Sequence, residues 1–184
     1  MSDLNAIRVK LKPLMAAGIK HGEFTLASGR KSEFYFDGRL VTLSAAGARL
    51  VGEAVLALVE GKGVGAVGGM AVGADPMTGA TLAVAGERGL PLDGFIVRKE
   101  KKSHGTGRQV EGPIEKGARA VLLEDVVTTG GSTIRAAEAL RAETGADIAG
   151  VVCLLDREEG GSEALAAAGL ELWPIFTKKD FPSA

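Results

Sequence analysis

The sequence predicts an α/β fold, with a parallel β-sheet flanked by helices on both faces. Short continuous apolar runs alternate with stretches of helical spacing along most of the 184 residues. Strands that are buried on both faces are continuous apolar runs, and their alternation with helices is typical of a parallel sheet. Glycine-rich and polar loops follow several of these runs, at the sheet edge where α/β proteins bind ligands. We find no internal repeat or linker, so we expect one domain over residues 1–184.

The N-terminal part is expected to hold two helices and a small hairpin. Apolar residues recur at helical spacing over residues 4–18, which predicts a first helix. Residues 22–40 alternate short apolar and polar pieces around a turn at Ser28-Gly29, which predicts a β-hairpin or a lobe apart from the main core. Ser44 is the expected N-cap of a second helix with a long apolar stripe.

The rest of the chain predicts strands and helices in alternation. The expected strands are Val64–Val67, Gly94–Val97, Ala118–Leu123, Ile148–Leu155 and Leu170–Ile175. The expected helices cover residues 76–87, 133–143 and 162–168. Three loops at the carboxyl ends of strands have an unusual composition, and they are Gly68–Asp75, Arg98–Gly112 and Glu124–Ser132. We therefore expect the ligand site between these loops.

Composition excludes several classes of protein. A formal net charge of -1 argues against a dedicated nucleic-acid binder, which usually carries a basic excess. No apolar run reaches the ~18–20 residues that span a bilayer, and residues 1–12 lack a signal-peptide pattern. Cys153 is the one cysteine, which excludes an internal disulfide and makes a Cys/His zinc site very unfavourable. We expect a cytoplasmic protein with no membrane partner.

The loop after the strand Ala118–Leu123 carries the strongest functional signal. It reads Glu124, Asp125, Val126, Val127, Thr128, Thr129, Gly130, Gly131, Ser132. Small residues that open a helix form an anion site, because free amides and the helix dipole both favour phosphate. Carboxylates do not suit a phosphate, but they suit ribose hydroxyls or Mg²⁺. The combination predicts a sugar phosphate. A plain strand end with a helix cap would not require two carboxylates, two β-branched apolar residues and a Thr/Gly/Ser loop at fixed spacing.

This stretch resembles the phosphoribosyl-diphosphate-binding motif of the type I phosphoribosyltransferases. That motif has two acids, two apolar residues, a threonine, a small residue, a glycine and small hydroxylated residues. The resemblance implies the fold of that family, with a small N-terminal hood formed by residues 1–40 and a C-terminal segment. It also implies that Glu124–Ser132 bind phosphoribosyl diphosphate (PRPP) and that Asp125 is catalytic.

A basic segment runs from Arg98 to Gly105, with four cations and a histidine ahead of several glycines. A solvated charge run is the ordinary explanation of such a segment. A strand end on one side and glycines on the other favour a mobile lid instead, and a lid that closes over phosphates needs cations. Arginine and lysine stabilise the charge on a departing diphosphate, and His104 can supply a proton.

The segment also resembles the catalytic loop of orotate phosphoribosyltransferases, which reads Arg-Lys, any two residues, Lys, any residue, His-Gly. The matching residues are Arg98, Lys99, Lys102, His104 and Gly105. The resemblance implies that Arg98, Lys99, Lys102 and His104 contact PRPP, and that all of these except Lys99 are catalytic. In that family the loop reaches the neighbouring subunit, which implies a homodimer with shared active sites.

Residues expected to bind the base come from two further segments. Tyr35 and Phe36 resemble the aromatic pair that flanks the base, although a core strand explains them equally well. Arg157 resembles the arginine that holds the base together with Thr128, and a guanidinium suits orotate because it pairs bidentately with a carboxylate. A surface ion pair with Asp156 or Glu158 is the alternative for Arg157.

Two glycine-rich segments complete the analysis. Residues 69–76 resemble the diphosphate-binding loop of the family, in which glycines let backbone amides approach the ligand. Lysines that some relatives carry are replaced by Ala27 and Gly73, so those two contacts are not expected here. Residues 63–68 match a dinucleotide fingerprint, but no strand precedes the match, which disfavours nicotinamide binding.

Together these motifs predict that the chain converts orotate and PRPP to orotidine 5′-monophosphate and diphosphate, in de novo pyrimidine biosynthesis. Mg²⁺ is the expected cofactor, bound mainly through the substrate, with Asp125 as a candidate ligand. A purine phosphoribosyltransferase is the nearest alternative, and the basic segment and Arg157 disfavour it because purines carry no carboxylate. A non-catalytic regulator that binds PRPP and nucleic acid is a further alternative, which the net charge disfavours.

Overall fold

The computed structural model describes residues 3–25, 31–100 and 107–182. Its helices are α1 (Leu4–Gly18), α2 (Arg39–Thr42), α3 (Ala45–Val59), α4 (Ala74–Glu87), α5 (Gly131–Thr144) and α6 (Gly161–Ala167). Its strands are β1 (Ile19–Thr25), β2 (Lys31–Phe36), β3 (Ala66–Met70), β4 (Asp93–Val97), β5 (Val110–Glu111), β6 (Arg119–Val127), β7 (Asp147–Asp156) and β8 (Leu172–Thr177). A 3-10 turn follows at Lys178–Asp180.

The main sheet has six strands in the order β5-β4-β3-β6-β7-β8. All neighbouring pairs are parallel except β4 and β5, which are antiparallel. The predicted parallel sheet flanked by helices is therefore confirmed. Because β3 and β6 are adjacent at the centre, the loops that follow them meet at one edge of the sheet.

Two hydrophobic clusters, one on each face, bury the sheet. The neighbouring residues Leu122 and Leu123 of β6 belong to different clusters, because successive side chains of a strand point to opposite faces. Leu123 packs with residues of α1, α3 and α4, whereas Leu122 packs with residues of α5 and α6. Covered faces of this kind explain why β6 and β7 are continuous apolar runs in the sequence. Within the described part of the chain, no helix combines the length and apolar character needed to cross a membrane.

The N-terminal hairpin is confirmed as an antiparallel pair of β1 and β2, separate from the main sheet. Its expected turn at Ser28-Gly29 lies outside the described residues. Phe34 of β2 is buried in the core, and the Arg8 guanidinium of α1 donates to Asp180 near the C-terminus over 3.0 Å. These contacts join the N-terminal and C-terminal segments, and the hood that they were expected to form stays a prediction.

The boundaries of β3 differ from the predicted ones. The strand expected at Val64–Val67 begins at Ala66 and extends through Gly68 and Gly69 to Met70, and these two glycines were expected in a loop. A methyl group at position 68 would lie 1.9 Å from the Phe95 carbonyl oxygen, and one at position 69 would lie 2.1 Å from that of Leu123. These two glycines are therefore present because adjacent strands pack closely. The loop that was predicted to begin at Gly68 begins after Met70.

Candidate active site

A cavity of about 500 Å³ opens at the carboxyl ends of β3 and β6. Its wall is formed by the end of β2 with the start of α2, the turn 71–73 after β3, Lys99 after β4, the acids of β6 and the first turn of α5. Two of the three predicted loops thus meet here, together with Lys99 of the third. The predicted ligand edge and the observed cavity coincide.

Glu124 and Asp125 lie in β6 itself, and not in a loop as predicted. The strand continues through Val126 and Val127, and Val127 is buried in the core. The apolar run in the sequence is interrupted by the two acids, which explains why the strand end was placed too early. Glu124 is buried and Asp125 is half-buried, and both line the cavity.

Helix α5 holds the Glu124 carboxylate with its first turn. The hydroxyls of Ser132 and Thr133 both donate to Glu124 Oε2 over 2.8 Å. Ser132 was predicted among the residues that bind PRPP, and in this structure its hydroxyl donates to the acid. Thr133, which is also buried, was not among the predicted site residues.

Burial sets the protonation of the acid pair. Loss of solvation raises the pKa of Glu124 to about 7, against which the Ser132 hydroxyl acts in the opposite direction. Burial also raises the pKa of Asp125, and the amide of Val126 opposes this by donating to its Oδ1 over 2.9 Å. Such a pair is poorly solvated and retains acceptor oxygens, so it favours a ligand that brings hydroxyl donors or a cation.

The turn between β6 and α5 has the form of an anion site. Gly130 has a φ of 77°, a conformation that glycine adopts without strain, and the 14-residue helix begins at the next residue. The first amides of a helix have no partner within it, so those of α5 are directed towards the turn that contains Thr128 and Thr129. Thr129 is exposed and Thr128 is half-buried. Phosphate is the chemistry that this turn suits best.

The aromatic pair lies at the cavity with unequal burial. Phe36 is buried in the core, whereas Tyr35 is half-buried and stacks at 5.4 Å, centroid to centroid, on Phe24. Successive side chains of β2 point to opposite faces, which explains why one residue is buried and the other half-buried. Both residues line the cavity. Phe36 therefore has the packing role of a core strand as well as a place in the cavity wall.

The described part of the basic segment divides between two environments. Lys99 lines the cavity, but Arg98 points its Nε to Glu111 of β5 over 3.2 Å and does not form part of the wall. The predicted residues Lys102 and His104 lie outside the described residues.

Arg157 follows β7 and is buried, with 5 % exposure. Its Nη2 donates to the Phe34 carbonyl of β2 over 3.0 Å and lies 2.8 Å from Glu159 Oε1. A surface ion pair with Asp156 or Glu158 was the alternative, and the observed acidic partner is neither of these. The guanidinium thus joins β7 to the strand that carries the aromatic pair.

Two charged residues of the cavity wall were not singled out from the sequence as site residues. Asp37 lies just before α2 and Arg39 is its first residue, and the two form a two-point ion pair, with Nε to Oδ1 at 2.8 Å and Nη2 to Oδ2 at 3.1 Å. The hydrogen bonds from Arg39 hold the pKa of Asp37 below its usual value. The available signal was their position directly after the aromatic pair, in the order Asp-Gly-Arg.

Comparisons with known proteins identify the class that this fold and site define. A family model described as the phosphoribosyl transferase domain matches residues 48–168. An orotate phosphoribosyltransferase of Rhodopirellula baltica is 48% identical over 181 residues, which covers 93% of this chain and 93% of that protein.

Solved structures agree in both fold and sequence. The orotate phosphoribosyltransferase of Mycobacterium tuberculosis H37Rv in complex with Fe(III) dicitrate matches with a TM-score of 0.82 and 35% identity, over 95% of this chain and 98% of that one. The same enzyme in complex with 5-phospho-alpha-D-ribosyl 1-diphosphate matches with a TM-score of 0.79 and 32% identity, over 95% and 98%. The present chain belongs to the orotate phosphoribosyltransferase family.

Proposed function

We propose that this chain transfers the phosphoribosyl group of PRPP to orotate, giving orotidine 5′-monophosphate and diphosphate in pyrimidine biosynthesis. The observation that carries the proposal is the cavity whose wall holds the acid pair of β6 and Ser132, in the first turn of the helix that the phosphate-type turn opens. One ligand that needs both is a ribose phosphate. Relatives named for the same activity match most of the chain, which supports the choice of orotate as the base.

The proposed mechanism is displacement at the anomeric carbon of the ribose. The turn Thr128–Gly131 and the start of α5 bind the 5-phosphate, while Glu124 and Asp125 accept hydrogen bonds from the ribose hydroxyls. As diphosphate departs, the ribose develops positive charge, which the carboxylates stabilise, and catalysis is largely positioning and electrostatics. Thr128 and Arg157 hold the base beside Tyr35 and Phe36.

The basic segment is proposed to receive the departing diphosphate. Lys99 lines the cavity beside the turn 71–73, which supports this role. Arg98, Lys102 and His104 complete the set in the proposal, with His104 as the proton donor. Arg98 would have to exchange Glu111 for the ligand, because the ion pair at 3.2 Å now occupies its Nε.

Magnesium is the proposed cofactor. Oxygen donors suit this ion, and Asp125 offers a carboxylate at the cavity wall. Within residues 3–25, 31–100 and 107–182, no group of three His, Cys, Asp or Glu side chains could hold a metal by itself. The fitting arrangement is therefore one in which the diphosphate supplies most ligands and Asp125 supplies one, and the bound ion would neutralise the charge that develops on the leaving group.

A homodimer with shared active sites is part of the proposal. Large apolar side chains are exposed close to the cavity, with Leu40 at 57%, Leu43 at 69% and Val72 at 72%. Neighbouring apolar residues of this kind support a subunit contact at the mouth of the cavity. Such a contact would bring the basic segment of one subunit within reach of the acid pair of the other.

Loss of orotate absorbance on addition of PRPP and Mg²⁺ tests the activity. We expect turnover with orotate, and none with uracil, adenine or hypoxanthine in place of orotate. Excess chelator should abolish the reaction and added Mg²⁺ should restore it. Equal rates with orotate and a purine, or full activity in chelator, would contradict the proposal.

A further inference from the structure

The charge balance of the cavity wall poses a problem for an anionic substrate. Among the described residues of the wall, Asp37, Glu124 and Asp125 are acidic, whereas Arg39 and Lys99 are the cationic ones. PRPP carries a phosphate at one end and a diphosphate at the other, so acids that face it without cations would repel it. Each cation of this wall is therefore needed close to a phosphate.

The turn after β3 supplies no cation. Gly73 closes that turn, and a methyl group at this position would lie 2.6 Å from Asp125 Oδ1. A side chain there would have to displace the carboxylate, so the 71–73 wall can offer backbone but not charge. Positive charge for a group bound at this turn has to come from other parts of the wall, whose described cations are Lys99 and Arg39.

Arg39 is the first residue of α2, lines the cavity, and is held in a fixed direction. Gly38 before it packs against Asp125, because a methyl group at position 38 would lie 3.2 Å from Asp125 Cβ. The two-point ion pair with Asp37 uses Nε and Nη2, and a guanidinium has five N–H donors. With its side chain 63% exposed, Arg39 keeps donors for a ligand while Asp37 fixes the orientation.

We propose that Arg39 binds the diphosphate group of PRPP and that Asp37 acts as a positioning residue for its guanidinium. The site of contact follows from the other ligands: the 5-phosphate is assigned to the start of α5, whereas Gly38, directly before Arg39, and Gly73 of the turn 71–73 both contact Asp125, which places Arg39 near that turn. A planar guanidinium suits the paired oxygens of a diphosphate better than an ammonium does. The inference deepens the proposed function and rests on it.

Binding of inorganic diphosphate, measured by calorimetry in the presence of Mg²⁺, tests the role of Arg39 without any turnover. Arg39→Gln should weaken diphosphate binding about 10–100-fold, the range of a lost hydrogen bond to a charged group. Arg39→Lys should recover part of the loss. Arg49→Gln is the matched control, because Arg49 is an exposed arginine of α3 whose ion pairs, with Glu53 and Glu87, lie outside the cavity.

Kinetics separate the positioning role from a purely structural one. Arg39→Gln should raise the KM for PRPP and leave that for orotate unchanged, and Asp37→Asn should raise the KM for PRPP by a smaller factor. A diphosphate affinity of Arg39→Gln within twofold of that of Arg49→Gln would overturn the inference. Wild-type protein that binds diphosphate through Arg39 but does not consume orotate would instead refute the proposed function, so the two failures are distinguishable.

Discussion

At the residue scale, the buried carboxyl of Glu124 links the stability of the chain to pH. Its pKa rises from 4.5 to about 7 on folding, mainly through burial, so the folded state keeps a proton that the unfolded state releases between these values. The free energy of unfolding falls with pH wherever the folded state binds more protons. The contribution of Glu124 is thus fully present below about pH 4.5 and is lost as pH rises through about 7.

Glu124→Gln should remove this dependence. We expect the variant to gain stability relative to wild type as pH rises from 5 to about 8, because glutamine is never ionised. Urea unfolding of both proteins across this range gives the difference directly. A stability difference that is constant with pH, or that moves in favour of wild type, would contradict the assignment of the raised pKa.

Arg157→Ala should raise the KM for orotate and leave that for PRPP nearly unchanged. Removal of the guanidinium takes away the proposed partner of the carboxylate, and losing one side of a buried charge pair costs ~2–5 kcal/mol. The variant also loses the bond to the Phe34 carbonyl, so the kinetics should be measured below its melting transition. An unchanged KM for orotate with a raised KM for PRPP would show that the arginine serves the sugar diphosphate.

At the scale of elements, the centre of the sheet depends on glycines that leave room for neighbouring backbone. Gly68→Ala places a methyl group against the Phe95 carbonyl oxygen, so β3 and β4 would have to separate. We expect a loss of about 1–3 kcal/mol, the usual cost of overpacking. Chemical denaturation measures the change.

Gly79→Ala in α4 is the matched control, since no atom lies within 4 Å of the added methyl group. Replacement of a helix glycine by alanine should stabilise the chain by roughly 0.5–1 kcal/mol. If both variants lose stability equally, close packing does not explain why position 68 is a glycine.

Elements that bury long apolar runs could be predicted from the sequence, and those defined by contact between distant segments could not. The helix capped by Ser44 and the strand β7 follow from local periodicity and match the structure closely. β5 has two residues and depends on pairing with β4, so its sequence carries no period. The glycines of β3 were assigned to a loop because glycine is typical of loops. In the structure they are required because the backbone of an adjacent strand leaves no room for a side chain.

The residues of the cavity show the same difference between local sequence signals and contacts between distant segments. Glu124 and Asp125 were predicted because their chemistry is written in adjacent residues, and the structure places both at the wall. Arg39 was missed because it reaches the site through a four-residue helix after the hairpin, and nothing local shows that α2 lies beside β6. Thr133 was missed because its hydrogen bond to Glu124 depends on the turn between β6 and α5, which brings the start of α5 beside β6, and the sequence does not show this proximity.

At the scale of the whole molecule, the proposed shared site predicts complementation between two inactive variants. Lys102→Ala should lower turnover ~10²–10³-fold with little change in KM, because a cation that meets the departing charge acts mainly in the transition state. Mixing Lys102→Ala subunits with Asp125→Asn subunits should restore part of the activity, since some mixed dimers then contain one intact site. A mixture that stays inactive after confirmed subunit exchange would show that the basic segment acts within its own chain.

The central claim is that orotate transfer takes place at the acid pair of β6, and steady-state consumption of orotate by two matched variants tests it most directly. Asp125→Asn keeps the shape of the side chain and removes the charge that stabilises the cationic ribose, so turnover should fall ~10²–10³-fold. Asp147→Asn makes the same change at an exposed residue of β7, where the acid pairs with Arg119, and should leave turnover as in wild type. Equal turnover by wild type and Asp125→Asn would contradict the claim.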